Sequence, residues 1–531
     1  MKVLTAAEMR EVDRLTTERY AIPSLLLMEN AAARAAEAIE QTFGEMANRY
    51  VKVVCGSGNN GGDGAAVARQ LWMRGALVDV ILLGSVENTK GDARTNFDIV
   101  RAMAESGCGI GLREVATRNE VWLEFEDLEP DLYVDAIFGT GLTRPAEGVF
   151  ADAIESLNNR AATRLASLDI PSGLASDSPE PIGPHVIADL TITFTAPKPS
   201  CVLPPAVFAC GLVATAAIGS PEELIDGSGS RLTLVTPEAV AEWLAESTRR
   251  PDAHKGSVGR VLVVAGSTGK TGAAAMAAEA ALRGGAGLVT VATPSVVEAL
   301  VAARATVEAM TEPMDSTDAG TFAESAIPRL LERQASSDVT VIGPGLGVDS
   351  STRAVVHALV RERSRAVLLD ADALTLMSPW PDDVRGDHDR PIVVTPHAAE
   401  MARIAGIDTS TVLEDRVGAA RAFATRCGVI VALKGARSVV AEPGGEVFVN
   451  PTGNAGMATG GSGDVLSGLI GALIGQRPGD VIGATIAGVY LHGLAGDLAA
   501  GETGIRALVA SDITDRIGRA FVEAGGDGEL P

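Results

Sequence analysis

Short apolar runs alternate with amphipathic stretches along most of the chain. Val51–Cys55 is rich in β-branched residues and predicts a strand, whereas Gly61–Arg74 carries apolar residues at helical spacing. Further strands are predicted at Leu77–Leu83, Leu132–Phe138 and Arg164–Ile170, and further helices at Thr5–Tyr20, Ser24–Phe43 and Asn96–Ala104. Strands that alternate with helices predict a parallel sheet covered by helices on both faces.

The alternation stops at residues 219–236 and then starts again. This segment is rich in Gly, Ser, Pro and charged residues, which is typical of a linker. Beyond it, the pattern predicts strands at Arg260–Ala265, Leu288–Ala292, Asp338–Ile342, Ala366–Leu369, Ile392–Thr395 and Val429–Leu433, and helices at Gly272–Arg283, Asp464–Gly475 and Val481–Asp497. We therefore predict two α/β domains, residues 1–225 and 226–531.

One uncharged segment, residues 199–221, is long enough to cross a membrane. Pro204 and Pro205 lie inside it, and adjacent prolines remove hydrogen-bond donors from a helix and clash with the preceding turn. We therefore interpret the segment as two buried strands around a proline corner.

Composition and charge narrow the class of protein. Of the 531 residues, 46% are apolar, which is enough for a packed core. A net charge of −24 argues against binding to nucleic acids or anionic membranes, because both need clustered Lys and Arg. Five cysteines without a CxxC pair indicate a reducing cytoplasm. Charged residues also interrupt the N-terminus where a signal peptide needs an apolar stretch.

Glycine is in excess, with 59 residues, and its clusters follow predicted strands. In the first cluster, Gly56, Gly58 and Gly61 match the GxGxxG pattern of dinucleotide-binding folds. However, Asp63 lies in the same turn and would place a carboxylate beside the phosphates of a dinucleotide. The polar side chains of this turn can instead bind a polar ligand or a hard cation, or Asp63 can simply cap the turn.

Two other predicted strands end in acidic residues. Asp135 precedes a loop that contains Gly139, and Asp169 is followed by Ser172. In an open parallel sheet, ligands bind at the carboxyl ends of the strands. We therefore expect these strand ends and the first glycine cluster to form one crevice, although each acid taken alone can be a loop cap.

The motifs GNNGGDG, VDAIFGTGL and LDIPSGL resemble the N-terminal epimerase domain of the bifunctional NAD(P)H-hydrate repair enzymes, the YjeF family, over residues 5–220. The resemblance implies a Rossmann-like three-layer sandwich that interconverts the R and S epimers of hydrated NADH or NADPH. It implies that Asp169 contacts the substrate as the catalytic acid–base residue, since epimerising a hemiaminal-like carbon requires proton transfers. It also implies potassium held by Asn60, Asp135 and Ser172, and substrate contacts from Asn59, Asn60, Gly61, Gly62, Asp63, Gly139, Thr140, Gly141, Leu142, Thr143, Arg144 and Pro145.

The second half opens with GSTGKTG, which suggests a phosphate-binding P-loop. The P-loop pattern needs a glycine five positions before Gly269, where this chain has Val264. Lys270 is therefore interpreted as a solvated loop lysine.

The strongest signal in the chain is GGSGD, which ends at Asp464. Its glycines present free amides at the start of a predicted helix, and such amides form an anion hole. Asp464 on the first turn is either an N-terminal cap or the base that deprotonates a hydroxyl attacking a phosphoryl group. A second glycine-rich loop, GPGLG, favours phosphoryl transfer.

GPGLG, DADAL, TPH, KG and GNAGMATGGSGD together resemble the C-terminal, ribokinase-like dehydratase domain of the same family over residues 230–525. The resemblance implies that ADP or ATP, with magnesium, phosphorylates the C6 hydroxyl of the hydrate, and that phosphate is then eliminated. Asp464 would be the catalytic base in contact with the substrate. The resemblance further implies hydrate contacts from Ala273, Gly345 and His397, and donor-nucleotide contacts from Lys434, Gly435, Ala436, Arg437, Ser438 and Gly463.

Two alternatives stay open at this point. The chain can be a ribokinase-like small-molecule kinase, such as a hydroxymethylpyrimidine-type enzyme, fused to a binding domain. Its first domain can also be a non-enzymatic ligand-binding or assembly module. The expected partners are NADH hydrate, NADPH hydrate and ADP or ATP, and the Ala-rich helices permit packing in a homo-oligomer.

Overall fold

The computed structural model describes residues 1–126, 128–247, 249 and 251–525. The chain divides into two compact units, Met1–Leu232 and Thr233–Pro531. The boundary predicted at residue 225 falls inside a short helix, Glu222–Asp226, so the observed division lies slightly later in the chain.

The first unit contains one parallel sheet of seven strands in the order β3-β2-β1-β4-β5-β6-β7. Its strands are β1 (Tyr50–Cys55), β2 (Leu77–Leu83), β3 (Ile110–Val115), β4 (Leu132–Ala136), β5 (Arg164–Leu168), β6 (Leu190–Phe194) and β7 (Leu212–Ala216). Its helices are α1 (Ala6–Tyr20), α2 (Ser24–Phe43), α3 (Asn59–Met73), α4 (Gly91–Glu105), α5 (Arg118–Glu126), α6 (Val149–Asn158), α7 (Pro199–Val202) and α8 (Glu222–Asp226).

Helices cover both faces of this sheet. Val53 of β1 belongs to an apolar cluster with Ala31 of α2, whereas its neighbour Val54 packs in a cluster with Ile154 of α6. Successive strand residues point to opposite faces, so the two clusters lie on opposite sides of the sheet. This burial on both faces explains why β4 and β6 are buried at every position. The predicted α/β class with a covered parallel sheet is confirmed.

The second unit contains a ten-stranded sheet in the order β11-β10-β9-β12-β13-β14-β15-β16-β17-β8. The strands are β8 (Leu232–Leu234), β9 (Arg260–Val264), β10 (Leu288–Pro294), β11 (Met310–Met314), β12 (Val339–Ile342), β13 (Ala366–Leu369), β14 (Ile392–Val394), β15 (Ile430–Leu433), β16 (Val439–Ala441) and β17 (Val447–Val449). Pairing is parallel from β11 to β15 and antiparallel between β15, β16 and β17.

The helices of the second unit complete the α/β pattern. They are α9 (Pro237–Glu246), α10 (Thr271–Arg283), α11 (Glu298–Arg304), α12 (Ile327–Ala335), α13 (Ser350–Arg361), α14 (Asp372–Leu376), α15 (Ala398–Ala405), α16 (Thr409–Glu414), α17 (Arg416–Cys427), α18 (Ser462–Gln476), α19 (Val481–Thr503) and α20 (Ala510–Glu523). Among the described residues, α19 alone is long and apolar enough to cross a membrane by length and composition, and 67% of its most apolar window is buried inside the protein. Such burial is typical of a core helix.

The prediction of two strands around a proline corner in residues 199–221 is wrong. This segment forms α7, a 3₁₀ turn at Ala206–Ala209 and the single strand β7. Pro199 occupies the first position of α7, where the missing N–H of proline costs no helical hydrogen bond. The uncharged pattern correctly predicted burial for most of residues 199–210, whereas β7 is only partly buried and Leu212 is 60% exposed.

Candidate active sites

A cavity of about 1020 Å³ lies in the first unit, where β1, β4 and β5 end. Its walls include many of the residues predicted to bind substrate, namely Asn59, Asn60, Asp63, Gly139, Thr140, Gly141, Leu142, Thr143, Arg144, Pro145 and Asp169. Gly61 and Gly62 are buried in the first turn of α3, behind this surface. The strand ends therefore meet in one crevice.

Asp169 is fixed by an ion pair that the sequence did not reveal. Lys198 Nζ lies 2.6 Å from Asp169 Oδ1, and the Lys198 side chain is only 1% exposed. The same ammonium donates hydrogen bonds to Thr193 Oγ1 and to the Phe194 carbonyl oxygen, both at 3.0 Å. Asp169 Oδ2 accepts a hydrogen bond from the Thr140 amide at 3.2 Å. The carboxylate is therefore held from two sides.

The loop after β4 approaches Asp169 so closely that it requires a glycine. A Cβ atom on Gly139 would lie 2.8 Å from Asp169 Oδ2 and 3.4 Å from the Cβ of Asn60. Gly139 thus lets the backbone pass between two polar side chains of the cavity. The glycines of this loop were the sequence signal that located the site.

Two further carboxyl groups line the cavity near the Asp169–Lys198 pair. Burial raises the pKa of Asp13 to about 6. The attraction of Lys198 lowers the pKa by less than burial raises it, and repulsion from Asp169 raises it further. Burial also raises the pKa of Asp63 well above its usual range, with repulsion from Asp169 and Asp13. One oxygen of Asp13, Oδ1, is buried without a hydrogen-bond partner.

The residues predicted to hold potassium lie at the same strand ends. Asp135 Oδ2 accepts hydrogen bonds from the Ser172 amide at 2.9 Å and from Ser167 Oγ at 2.8 Å. Burial raises the pKa of Asp135, and the Ser172 hydrogen bonds oppose that rise. The Asn60 side-chain amide is buried, and neither its oxygen nor its nitrogen has a hydrogen-bond partner. Asn60 lines the cavity, whereas Asp135 and Ser172 are not among its lining residues. A buried amide oxygen without a partner suits a cation that binds oxygen ligands.

A second set of functional side chains lies at the start of α18 in the second unit. Asp464 is in the first turn of α18, which begins after Gly461 without a side-chain cap. Burial raises the pKa of Asp464 to about 7, with repulsion from Asp370 and Asp372 and a smaller opposing effect of Lys434. A carboxyl group that titrates near neutral pH can act as a base for a hydroxyl proton.

Lys434 links three elements beside Asp464. Its Nζ lies 2.7 Å from Asp370 Oδ1 and 3.8 Å from Glu400 Oε2. Asp370 is 1% exposed, and its Oδ2 accepts a hydrogen bond from Ser467 Oγ at 2.6 Å. A Cβ atom on Gly463 would lie 3.3 Å from Lys434 Nζ. The ammonium therefore lies between the end of β13 and the start of α18.

The other predicted donor-nucleotide contacts form the turn between β15 and β16. Arg416 Nη1 donates to the carbonyl oxygen of Ala436, and Ser438 Oγ donates to that of Gly435 at 3.0 Å. Arg437 has a positive φ of 52°, and its Nη1 donates to the Pro451 carbonyl oxygen. The turn is thus fixed by contacts within the second unit.

Gly345, Ala273 and Lys270 lie close together in the second unit. A Cβ atom on Gly345 would lie 2.7 Å from the Lys270 carbonyl oxygen and 3.2 Å from the Ala273 Cβ. Lys270 Nζ lies 2.8 Å from Asp372 Oδ2, which also accepts a hydrogen bond from the Gly347 amide. Lys270 is exposed, which agrees with its interpretation as a solvated loop lysine, and its ammonium also forms an ion pair that joins two loops.

His397 is the N-cap of α15. Its Nδ1 accepts hydrogen bonds from the Ala399 and Glu400 amides, and Glu400 Oε2 accepts one from the His397 amide at 2.9 Å. Glu400 also faces Lys434. His397 is half-exposed, so its ring is accessible to a ligand although Nδ1 is engaged.

Two families match the two units of the chain. Residues 24–200 match the family described as YjeF-related protein N-terminus, and residues 261–519 match the family described as NAD(P)H-hydrate dehydratase. The chain is 44% identical over 523 residues to the bifunctional NAD(P)H-hydrate repair enzyme of Moorella thermoacetica, covering 97% of this chain and 96% of that protein. The chain belongs to the bifunctional NAD(P)H-hydrate repair enzyme family. Both predicted domain types, Rossmann-like and ribokinase-like, agree with these matches.

Other members of the repair enzyme family are also similar. The Escherichia coli enzyme is 36% identical over 474 residues, covering 89% of this chain and 85% of that protein. The solved structure of the Bacillus subtilis ADP/ATP-dependent NAD(P)H-hydrate dehydratase, co-crystallised with ATP and Mg²⁺, is 28% identical. The match covers 55% of this chain and 98% of the Bacillus subtilis chain, with a TM-score of 0.48.

Several residues of this repair enzyme family member were missed by sequence reasoning. In the first unit they are Asp13 and Lys198, and in the second unit Ser467. Asp370 and Asp372 lie in the DADAL motif, but the sequence assigned neither of them a role. A signal for Lys198 was present, because it is the single charged residue between positions 190 and 221. No comparable signal marks Asp13, which reads as one more acidic residue on a mostly polar helix.

Proposed function

We propose that this chain repairs hydrated NADH and NADPH in two steps. The first unit interconverts the R and S epimers, and the second unit converts the S epimer to NADH or NADPH at the expense of ADP or ATP. The observation that carries the proposal is that each unit brings an acidic residue and a lysine together where its parallel strands end: Asp169 with Lys198, and Asp464 near Lys434. Ligands bind parallel sheets at this edge.

In the first site, we assign Asp169 to exchange a proton with the C6 hydroxyl of the hydrate. The C6 carbon is bonded to both a hydroxyl oxygen and a ring nitrogen. Its configuration can invert only if one of these two bonds breaks and then forms again on the other face of C6. Lys198 keeps the Asp169 carboxylate in position from 2.6 Å. The exposed loop 139–145 covers one side of the cavity and is suited to contact the nucleotide part of the substrate.

Potassium in the first site is part of this proposal. The unpaired, buried amide oxygen of Asn60 supports the fit, as does the buried carboxylate of Asp135. Asn60, Asp135 and Ser172 would hold the ion. When bound, it would offset part of the negative charge of the acidic residues around the hydrate.

We expect Asn60→Ala to weaken potassium binding and leave dehydration intact. The substitution removes one oxygen ligand, and we expect the K⁺ concentration that gives half-maximal epimerisation to rise about tenfold, equivalent to about 1.4 kcal/mol of binding free energy. The measurement titrates KCl at constant ionic strength with tetramethylammonium chloride. An unchanged half-maximal concentration would remove Asn60 from the ion site.

In the second site, we assign Asp464 as the base. It takes the proton of the C6 hydroxyl as that oxygen attacks the terminal phosphoryl group of the donor, and the donor leaves as the nucleotide shortened by one phosphate. The amides of the Gly460–Gly463 turn and the Lys434 ammonium are suited to stabilise the charge on the transferred group. Phosphate then leaves C6 with the C–O electron pair, and loss of a proton from C5 restores the ring double bond.

Magnesium fits as a companion of the donor nucleotide. Mg²⁺ is commonly bound through substrate phosphates, with one or two carboxylates and several waters. Within the part of the chain that the structure describes, no group of three or more His, Cys, Asp or Glu residues forms a ready metal site. Asp372, beside the Gly345 loop, is the carboxylate that we expect to contact the hydrated ion. Magnesium would neutralise charge on the donor phosphates.

Dehydration should depend on pH through Asp464. Its pKa is raised to about 7, so below that pH the group is protonated and cannot serve as a base. We expect kcat/KM for the S hydrate to fall about tenfold per pH unit below a midpoint near pH 7 and to level off above it. The profile is measured at constant ionic strength with a no-enzyme blank at each pH. A midpoint at the ordinary carboxyl value of about 4 would contradict the assignment.

A repair assay distinguishes this function from that of a small-molecule kinase. The protein is incubated with chemically hydrated NADH, Mg²⁺, K⁺ and either ADP or ATP. We expect the dihydronicotinamide absorbance to return, with one phosphate released per NADH formed. A phosphorylated alcohol that accumulates without return of absorbance would instead identify a kinase.

We propose that the enzyme acts in the cytoplasm as a homo-oligomer. None of the five cysteines, all of which lie among the described residues, forms a disulfide, and this is typical of a reducing compartment. Light scattering at micromolar concentration tests the oligomer, since a mass of 54.5 kDa would identify a monomer.

A further inference from the structure

We propose, resting on the epimerase function above, that Asp13 is a second catalytic residue of the first site. In this proposal Asp13 exchanges a proton with the ring nitrogen of the hydrate, while Asp169 exchanges one with the C6 oxygen. Both side chains line the same cavity. Asp13 lies in the N-terminal helix α1, outside the glycine-rich loops.

The position of Asp13 is fixed by the way α1 is anchored. A capping box begins α1: the Thr5 amide donates to Glu8 Oε2 at 2.8 Å, and the Glu8 amide donates to Thr5 Oγ1 at 3.3 Å. The Ala6 amide donates to Asp177 Oδ1 at 2.7 Å, and Val12 is 1% exposed. Asp13 therefore reaches the cavity from a helix that is held at its start and along its buried face.

The Asp13 carboxyl group is left with an unused hydrogen-bonding atom. Its Oδ1 is buried and has no hydrogen-bond partner. Buried polar atoms in native proteins are nearly always paired, so an orphan in a cavity wall points to a ligand that supplies the partner. A protonated carboxyl group there can donate to a ring nitrogen of the substrate.

Asp13 and Asp169 differ in their surroundings, as an acid and a base must. Asp169 has the Lys198 ammonium at 2.6 Å, and Lys198 is further engaged by Thr193 and Phe194. Asp13 forms no salt bridge within the described residues, and the charged groups that act on it are Lys198, at longer range, and Asp169. Its raised pKa, about 6, agrees with a group that gains and loses a proton readily near neutral pH.

The proposed step balances with these two groups alone. Asp169 takes the hydroxyl proton, the C6–O bond becomes a carbonyl, and the C6–N1 bond breaks with its electron pair moving to N1. N1 takes the proton of Asp13. After rotation about C5–C6, Asp13 recovers the proton as N1 attacks the other face of C6, and Asp169 returns its proton to the oxygen. No oxidant or external reactant is consumed.

The test uses the full-length protein and the purified R epimer of hydrated NADH, with conversion to the S epimer followed by chromatography. For Asp13→Asn we expect the epimerisation kcat to fall about 10²–10⁴-fold while KM stays near the wild-type value. Asp13→Glu should recover a measurable part of the rate. Dehydration of the purified S epimer and the thermal unfolding midpoint serve as checks that the variants fold.

The matched control is Asp98→Asn, which removes an exposed carboxylate of α4 outside the cavity wall and should leave kcat unchanged. Wild-type kcat in Asp13→Asn, or a loss that appears in Asp63→Asn but not in Asp13→Asn, would overturn the role of Asp13. A wild-type protein that does not interconvert the epimers would instead overturn the epimerase function itself, so that the two failures are distinct.

Discussion

Asp464→Asn is expected to lower the rate of dehydration of the S hydrate about 10²–10⁴-fold, the usual contribution of a general base. The asparagine preserves the size of the side chain but cannot accept the hydroxyl proton. Because Asp464 lies in the second unit, epimerisation in the first unit should proceed at the wild-type rate. The measurement follows NADH formation from the S hydrate with saturating ATP and Mg²⁺.

The control for this variant is Asp515→Asn, which removes an exposed acid on α20 and should leave the rate unchanged. ATP affinity is a second check, because the donor contacts assigned to Lys434 and the following turn stay in place. Retention of more than about a tenth of the wild-type rate by Asp464→Asn would mean that another group serves as the base.

Lys198→Met is expected to cost both stability and epimerisation. Removing the ammonium leaves Asp169 without its ion-pair partner, which lies at 2.6 Å. It also leaves Thr193 Oγ1 and the Phe194 carbonyl oxygen without the hydrogen bonds that Lys198 donates. Removal of one member of a buried ion pair typically destabilises a protein by about 3–5 kcal/mol. We expect a loss of this size in the free energy of unfolding of the first unit, measured by urea denaturation, and loss of epimerisation.

The double variant Lys198→Met/Asp169→Asn separates the two effects. With the unpaired charge also removed, part of the stability should return, while epimerisation should stay lost because Asp169 is gone. Lys90→Met removes an exposed lysine before α4 and serves as the control for loss of positive charge. Wild-type stability of Lys198→Met would show that the ion pair contributes little to the fold.

The sequence was most informative where apolar runs have clear ends. The bounds predicted for Leu77–Leu83 and Ser24–Phe43 are those of β2 and α2. In both cases a change in residue pattern coincides with a glycine or proline that ends the element, as at Pro23 and Gly44. Local pattern was sufficient there, because local chemistry decides the boundary.

The candidate sites could be predicted in their backbone but not in their ion pairs. The glycine-rich loops mark the ends of predicted strands, so the sequence predicts both a site beside Gly139 and an anion-binding turn before Asp464. The Asp169–Lys198 and Asp370–Lys434 pairs join residues 29 and 64 positions apart. Such partners are chosen by tertiary packing, which periodicity does not record.

Residues 199–221 illustrate the same limit. The absence of charge predicted burial, which holds for most of residues 199–210 but not for β7, and an uncharged run is compatible with strands, helical turns or both. In the structure Pro199 begins the short helix α7, and Pro205 precedes the 3₁₀ turn. The burial of this segment was therefore predictable only in part, and its conformation was not predictable.

The central claim, that two separate sites of one chain act in sequence, is tested most directly by a complementation assay on the purified R hydrate of NADH. Asp169→Ala and Asp464→Asn are assayed with ATP, Mg²⁺ and K⁺, alone and mixed, against a no-enzyme blank. We predict that neither variant alone forms NADH above the rate set by spontaneous epimerisation, and that the mixture restores full conversion. Full conversion by Asp169→Ala alone at the wild-type rate, or no conversion by the mixture, would contradict the account.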